Sequence, residues 1–142
     1  MPDPFRTSRR VEFADTDMAG IVHFANFFRY MEAAEVDFLQ SLGLSVRLDW
    51  EGQAIGFPRV SASCDYLRPV SFMDILDIAV TVSNIGRKSV TYAFEFSCRD
   101  VVVARGQVSA CCCRVVPGRG LESVEIPATL RQKLVEGAAE TS

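Results

Sequence analysis

The sequence predicts an α+β domain in which a largely antiparallel sheet wraps one long helix, and three observations predict it. One segment, 26–42, carries apolar residues at helical spacing. Four later segments alternate apolar and polar residues with the period of two that marks half-buried strands. Tight turns between the later segments favour antiparallel neighbours. One apolar helix and one sheet with an apolar face must bury each other.

The elements follow in chain order. Val11 and Phe13 alternate with Arg10 and Glu12, which predicts a short strand before Asp15. A loop over 15–25 comes next. Asn26 is the expected N-cap of the long helix. Phe27, Met31, Ala34, Phe38 and Leu42 then recur every three or four residues as one apolar stripe, widened by Phe28, Ala33 and Leu39. Gly43 suits the left-handed residue that closes a helix. The stretch 44–58, with Gly52 and Gly56, reads as a long connection. Val60, Ala62, Cys64 and Tyr66 alternate with polar residues and predict a strand that Pro69 ends or bends. Further strands are predicted over 76–83, over 90–97 beyond the hairpin Gly86-Arg87-Lys88-Ser89, and over 101–116 before Pro117-Gly118. Pro127 fits the first turn of a short C-terminal helix, 127–135. The count is five strands in one sheet, in a single domain over 1–142 with no repeat or linker.

Composition narrows the function. The formal net charge is -3 with 23% charged residues, so the basic footprint of a nucleic-acid-binding protein is missing. Met1-Pro2-Asp3-Pro4-Phe5-Arg6 leads into no apolar core of a secretory signal, and runs such as 101–104 are too short for a bilayer span. A cytoplasmic protein without a membrane partner is expected. Of the five cysteines, 111–113 are consecutive. Neighbours in a strand point to opposite faces, so the triplet cannot converge on one metal, and the chain has a single histidine. These thiols read as small buried residues in a reducing compartment. No metal and no separate cofactor are expected.

The chemistry is concentrated in Val11-Glu12-Phe13-Ala14-Asp15-Thr16-Asp17-Met18-Ala19-Gly20-Ile21-Val22-His23-Phe24-Ala25-Asn26-Phe27. Taken alone, Asp17 reads as a turn-forming loop carboxylate. The whole stretch closely resembles the signature of the 4-hydroxybenzoyl-CoA thioesterase branch of the hotdog superfamily. That pattern runs D-x-D-x-x-G-(I/V)-V, two residues, a small residue or proline, then Asn and an aromatic leading into the central helix. The order of elements extends the resemblance over nearly the whole chain. It implies a hotdog fold and hydrolysis of an acyl-CoA, with an aryl-CoA such as a hydroxybenzoyl-CoA as one substrate and coenzyme A as part of it.

The resemblance also assigns roles. Asp17 is the nucleophile or general base, and the backbone N–H of Phe24 is the oxyanion donor. Water is a weak nucleophile at neutral pH, so a carboxylate must attack the thioester carbonyl or deprotonate a water. A helix start supplies unpaired N–H groups and positive dipole character to a developing oxyanion, and one such donor is typically worth ~3 kcal/mol. Gly20 permits the tight turn between acid and helix. Asp15 is expected to shape the loop rather than react. His23 and Asn26 are placed around the substrate. Glu32 falls where the family has a shorter carboxylate that meets the substrate hydroxyl. Arg87, Lys88 and Ser89 match a basic turn that meets coenzyme A phosphates, with Arg59 and Arg68 as weaker candidates for that task. Paired subunits, a homodimer or homotetramer with the active site at the interface, are implied as well.

Two other readings stay open at this level. A hotdog enoyl-CoA hydratase pairs an Asp with a His five positions on, whereas Asp17 and His23 are six apart. A non-catalytic acyl-CoA binding module is the other. A phosphatase loop of the form D-x-D-x-T is set aside because Ala19 stands where its Thr belongs.

Overall fold

The computed structural model describes residues 3–137, so the ends of the domain expected over 1–142 lie outside the described residues. The fold is built on α1 (Asn26–Ser41), whose Phe27, Tyr30, Met31, Ala34, Phe38 and Leu39 are buried. They lie against the inner face of a five-stranded antiparallel sheet made of β1 (Phe5–Arg10), β4 (Arg59–Tyr66), β5 (Ile75–Ile85), β6 (Ser89–Cys98) and β7 (Val101–Cys111). This is the predicted α+β hotdog arrangement. Val90, Tyr92, Phe94 and Phe96 of β6 are buried, and the residues between them are not, as the alternation requires. Tyr92 meets Phe38 at 5.9 Å between centroids and Phe96 meets Phe27 at 5.3 Å, both edge to face. Gly106 in β7 lets the helix approach: a Cβ there would lie 2.5 Å from Met31 Sδ.

The strand order is β1-β5-β6-β7-β4. β4 therefore pairs with β7, not with β5 beside it in sequence, and its other edge is unpaired among the described residues. Nearly every residue of β4 is exposed, including Val60 at 64%.

Several local expectations need correction. The first strand is β1, earlier than the predicted 10–13. It ends where the Val11 N–H donates to Asp74 O at 2.8 Å, and 13–15 then form one turn of 3-10 helix closed by a reciprocal Glu12–Asp15 capping box. Phe13 faces solvent instead of the core. Asn26 is not the helix cap: Ala25 takes that position without a side-chain bond, because Asn26 is committed elsewhere. The stretch 44–58 is not a plain connection but a hairpin, β2 (Arg47–Trp50) and β3 (Gln53–Gly56). Glu51 and Gly52, both at positive φ, make its two-residue turn.

The last predicted strand is two strands, β7 and β8 (Cys113–Val116), because the Cys112 N–H and C=O bond to Lys88 and Val124 instead of continuing one ladder. β8 turns into β9 (Gly120–Ser123), completing a second, four-stranded sheet, β2-β3-β8-β9. The last helix, α2 (Ala128–Gly137), runs slightly beyond the predicted 127–135. No described helix is long and apolar enough to cross a membrane.

Candidate functional site

The loop before α1 is held by Asp15, as expected of a shaping residue. Its Oδ2 accepts the Glu12 N–H at 3.0 Å and the Tyr30 hydroxyl at 2.9 Å, and its backbone C=O accepts Asn26 Nδ2 at 2.8 Å and the His23 N–H at 2.9 Å. Burial first, and the bond to Asp15 second, push the Tyr30 hydroxyl well above its ordinary value, so it stays a donor. Asn26, expected at the substrate, is thus the strut between helix and loop.

Asp17 sits at the head of a turn. The Gly20 N–H donates to Asp17 O and the Asp17 N–H to Ile21 O, each at 2.9 Å, and Gly20 adopts φ +82, which an L side chain resists. Asp17 Oδ1 accepts the Ala19 N–H at 2.9 Å, and Oδ2 has no hydrogen bond among the described residues. One carboxylate oxygen fixes the rotamer while the other remains available. The acid lines a pocket of about 560 Å³ with Val22, Phe24, Phe27, Tyr66 and Arg68.

At the start of α1 the first hydrogen bonds run from Asn26 N to His23 O, Phe27 N to Phe24 O and Phe28 N to Ala25 O. The Phe24 N–H, one residue before the Ala25 cap, makes no hydrogen bond among the described residues. The Tyr66 hydroxyl donates to Phe24 O at 2.9 Å and so fastens the end of β4 to this turn. Tyr66 escaped the sequence reading because nothing local distinguishes it from a strand residue. His23 is exposed, accepts the Ala25 N–H on Nδ1 at 3.2 Å and stacks on Phe24 at 4.7 Å, outside the walls of the pocket.

The remaining expected residues are elsewhere. Glu32 is exposed on α1 and does not line the Asp17 pocket. The hairpin 86–89 is pinned by Arg131 Nη2 on Gly86 O at 2.7 Å and by the Ile126 N–H on Arg87 O at 2.9 Å. Arg87 makes an exposed ion pair with Glu125, which holds that carboxyl below its ordinary value through the hydrogen bond and the charge of Arg87. The Lys88 side chain makes no ion pair among the described residues. Ser89 opens β6. From Ser89 to Phe96, which packs on Phe27 under the pocket, β6 covers seven residue steps, about 23 Å at strand spacing. Within one chain, hairpin and Asp17 are at opposite ends of the sheet.

A charge that the sequence reading did not single out lies between them. Glu35 falls on the apolar stripe, one helical turn after Met31, and is 1% exposed. Its Oε1 accepts Arg59 Nε at 3.1 Å and Nη2 at 2.8 Å. Burial, the larger effect, raises its carboxyl above the ordinary value, and Arg59 opposes the rise. The signal available in the sequence was its position: a carboxylate on the buried face of the helix must find a partner.

Known proteins share this fold. The profile of the thioesterase-like superfamily matches residues 11–134. The chain belongs to that superfamily. It is 32% identical over 145 residues to the 1,4-dihydroxy-2-naphthoyl-CoA hydrolase of Thermosynechococcus vestitus, spanning 99% of this chain and 96% of that one. It superposes on a 1,4-dihydroxy-2-naphthoyl-CoA thioesterase from Synechocystis with TM-score 0.80 at 26% identity, over 92% of this chain and 94% of that one. A gentisyl-coenzyme A thioesterase gives TM-score 0.77 at 29% identity over 91% and 98% of the two chains.

Proposed function

We propose that this protein hydrolyses an aryl-CoA thioester, with Asp17 as nucleophile or general base and the Phe24 N–H as oxyanion donor. The observation that carries the proposal is the joint presence of Asp17, with one uncommitted oxygen, and the uncommitted Phe24 N–H beside Phe27 and Tyr66 in one pocket. As nucleophile, Asp17 adds to the carbonyl carbon, the oxygen charge goes to the Phe24 N–H, and the C–S bond breaks. Coenzyme A then leaves as a thiolate that takes up a proton, and water cleaves the resulting mixed anhydride. As base, Asp17 takes the proton of the attacking water instead. The aromatic walls and the aryl substrates named for the relatives support an aryl acyl group.

The same proposal completes the site with a second copy. β4 is an exposed edge strand, and Phe24 and Tyr66 beside it are 62% and 44% exposed. Antiparallel pairing of β4 with β4 across a two-fold axis sets the start of one strand against the end of the other. Arg59 and Val90 both face Ala110 in the ladder, so the start of β4 and the hairpin 86–89 share one end of the sheet. Such pairing carries that end, with Lys88 and Arg87, toward the Asp17 pocket of the partner.

The test is Asp17→Asn. Asn keeps the size and one acceptor but is a poor base and nucleophile. The expected loss in kcat is at least about 100-fold, with the melting temperature preserved, while His23→Ala loses less. A variant that keeps more than about a tenth of wild-type kcat removes Asp17 from the chemistry, and a dead His23→Ala enzyme transfers the role to the imidazole.

A further inference from the structure

The chemistry above leaves the Glu35–Arg59 pair unused, and its geometry is lopsided. Both Nε and Nη2 of Arg59 point at a single oxygen, Glu35 Oε1. Oε2 is buried with no hydrogen-bond partner among the described residues. A pair that served only to tie helix to strand gains most by using both oxygens, as bidentate forks do. An unpaired buried acceptor destabilises the fold. The Arg59 side chain stays 31% exposed, and its Nη1 makes no hydrogen bond among the described residues. Arg59 lies on the wall of a cleft of about 280 Å³ with Phe57, Pro58, Val115 and Leu121. A guanidinium held from behind by a buried carboxylate, with free donors among apolar walls, is pre-organised for an oxygen acceptor.

Arg59 is the first residue of β4 and Tyr66, on the wall of the Asp17 pocket, is the last. Full-length pairing of β4 on itself therefore sets Arg59 of the partner subunit opposite Tyr66. We propose that Arg59, positioned by Glu35, sets acyl specificity by donating to an oxygen at the end of the acyl group remote from the thioester bound at Asp17 of the partner subunit. Hydroxyl and carboxylate oxygens share this chemistry. The inference rests on the thioesterase reading and on the β4 pairing. Arg59 touches the substrate, and Glu35 acts only through Arg59.

The experiment compares kcat/KM for benzoyl-CoA, 4-hydroxybenzoyl-CoA and 4-carboxybenzoyl-CoA. Wild type is expected to prefer at least one oxygen-bearing thioester over benzoyl-CoA, and which one identifies the oxygen. Arg59→Met is expected to cut that preference at least about 10-fold, because a site built to bond a polar group discriminates by that bond, so benzoyl-CoA hydrolysis falls less than that of the preferred thioester. The double variant Glu35→Leu/Arg59→Met removes both charges together, so the fold does not have to bury one unpaired, and it must lose the same preference. Co-expressing Asp17→Asn and Arg59→Met chains rebuilds one intact site per mixed dimer and is expected to restore the preference.

Equal loss on all three thioesters in both Arg59 variants makes the pair a structural tie and overturns the inference. A wild type without preference, or mixed dimers without restoration, overturns it too while leaving the thioesterase reading standing. Hydrolysis of none of the three overturns that reading and the inference with it.

Discussion

Asp15 and Asp17 are two residues apart and are bonded differently. Asp15 is consumed by hydrogen bonds from Glu12 and Tyr30, whereas Asp17 uses one oxygen for the Ala19 N–H and keeps the other. Asp15 was expected to shape the loop, but the means were not legible, because Tyr30 and Asn26 reach it from the helix. The basic hairpin is also unequal. Arg87 already has Glu125 as counter-ion, whereas Lys88 has no ion pair among the described residues. If the hairpin holds coenzyme A phosphates, Lys88→Ala raises KM more than Arg87→Ala does, and both leave kcat nearly unchanged. Contacts remote from the carbonyl bind ground and transition states alike. The effect shrinks at high salt, as for any exposed charge. Initial rates at low and high ionic strength decide it: an unchanged KM for both variants at low salt removes the hairpin from the site.

At the scale of the element, the start of α1 borders the Asp17 pocket, and its far end turns the chain toward β2. Gly43 at φ +75 closes the helix: its N–H donates to Gln40 O at 2.9 Å and the Leu44 N–H donates to Leu39 O at 2.8 Å, with Leu39 and Leu44 both buried. This is a Schellman closure with its apolar contact. A Cβ at Gly43 meets nothing within 4 Å, so Gly43→Ala tests backbone strain alone. The expected cost is about 1–2 kcal/mol, the penalty of a left-handed L residue, seen as a lower urea midpoint at constant slope. Hydrolysis is unaffected, since the Asp17 pocket is at the other end of the helix. A neutral or stabilising substitution shows that the closure is not strained.

For the whole molecule, the decisive fact is that one chain keeps the acid and the basic hairpin at opposite ends of the sheet. β4 is an exposed edge strand, and on the proposed β4 pairing a second copy brings them together there. Specific activity is therefore expected to fall on dilution in step with the dimer fraction seen by sedimentation, and to recover on concentration. A stable monomer with full activity at nanomolar concentration places the complete site within one chain and overturns the β4 pairing.

What the sequence by itself determined is whatever repeats over a few neighbours. The stripe from Phe27 to Leu42, the alternation of Val90 to Phe96 and the unbroken spacing from Asp15 to Asn26 are local patterns, and each predicted its element or loop. Four strands of the five-stranded sheet were legible because their alternations are long. The hairpin 47–56 was not, because its strands are four residues each, too short for a period to show. β1 was misplaced because its polar run, Phe5–Arg10, becomes a strand by pairing with β5. Only the tertiary structure decided that β4 lies beside β7, that Asn26 braces the loop, that Glu35 meets Arg59, and that Tyr66 bonds Phe24 beside the Asp17 pocket. These contacts join residues far apart in the chain, where burial and charge compensation choose the partner and no local spacing records the choice.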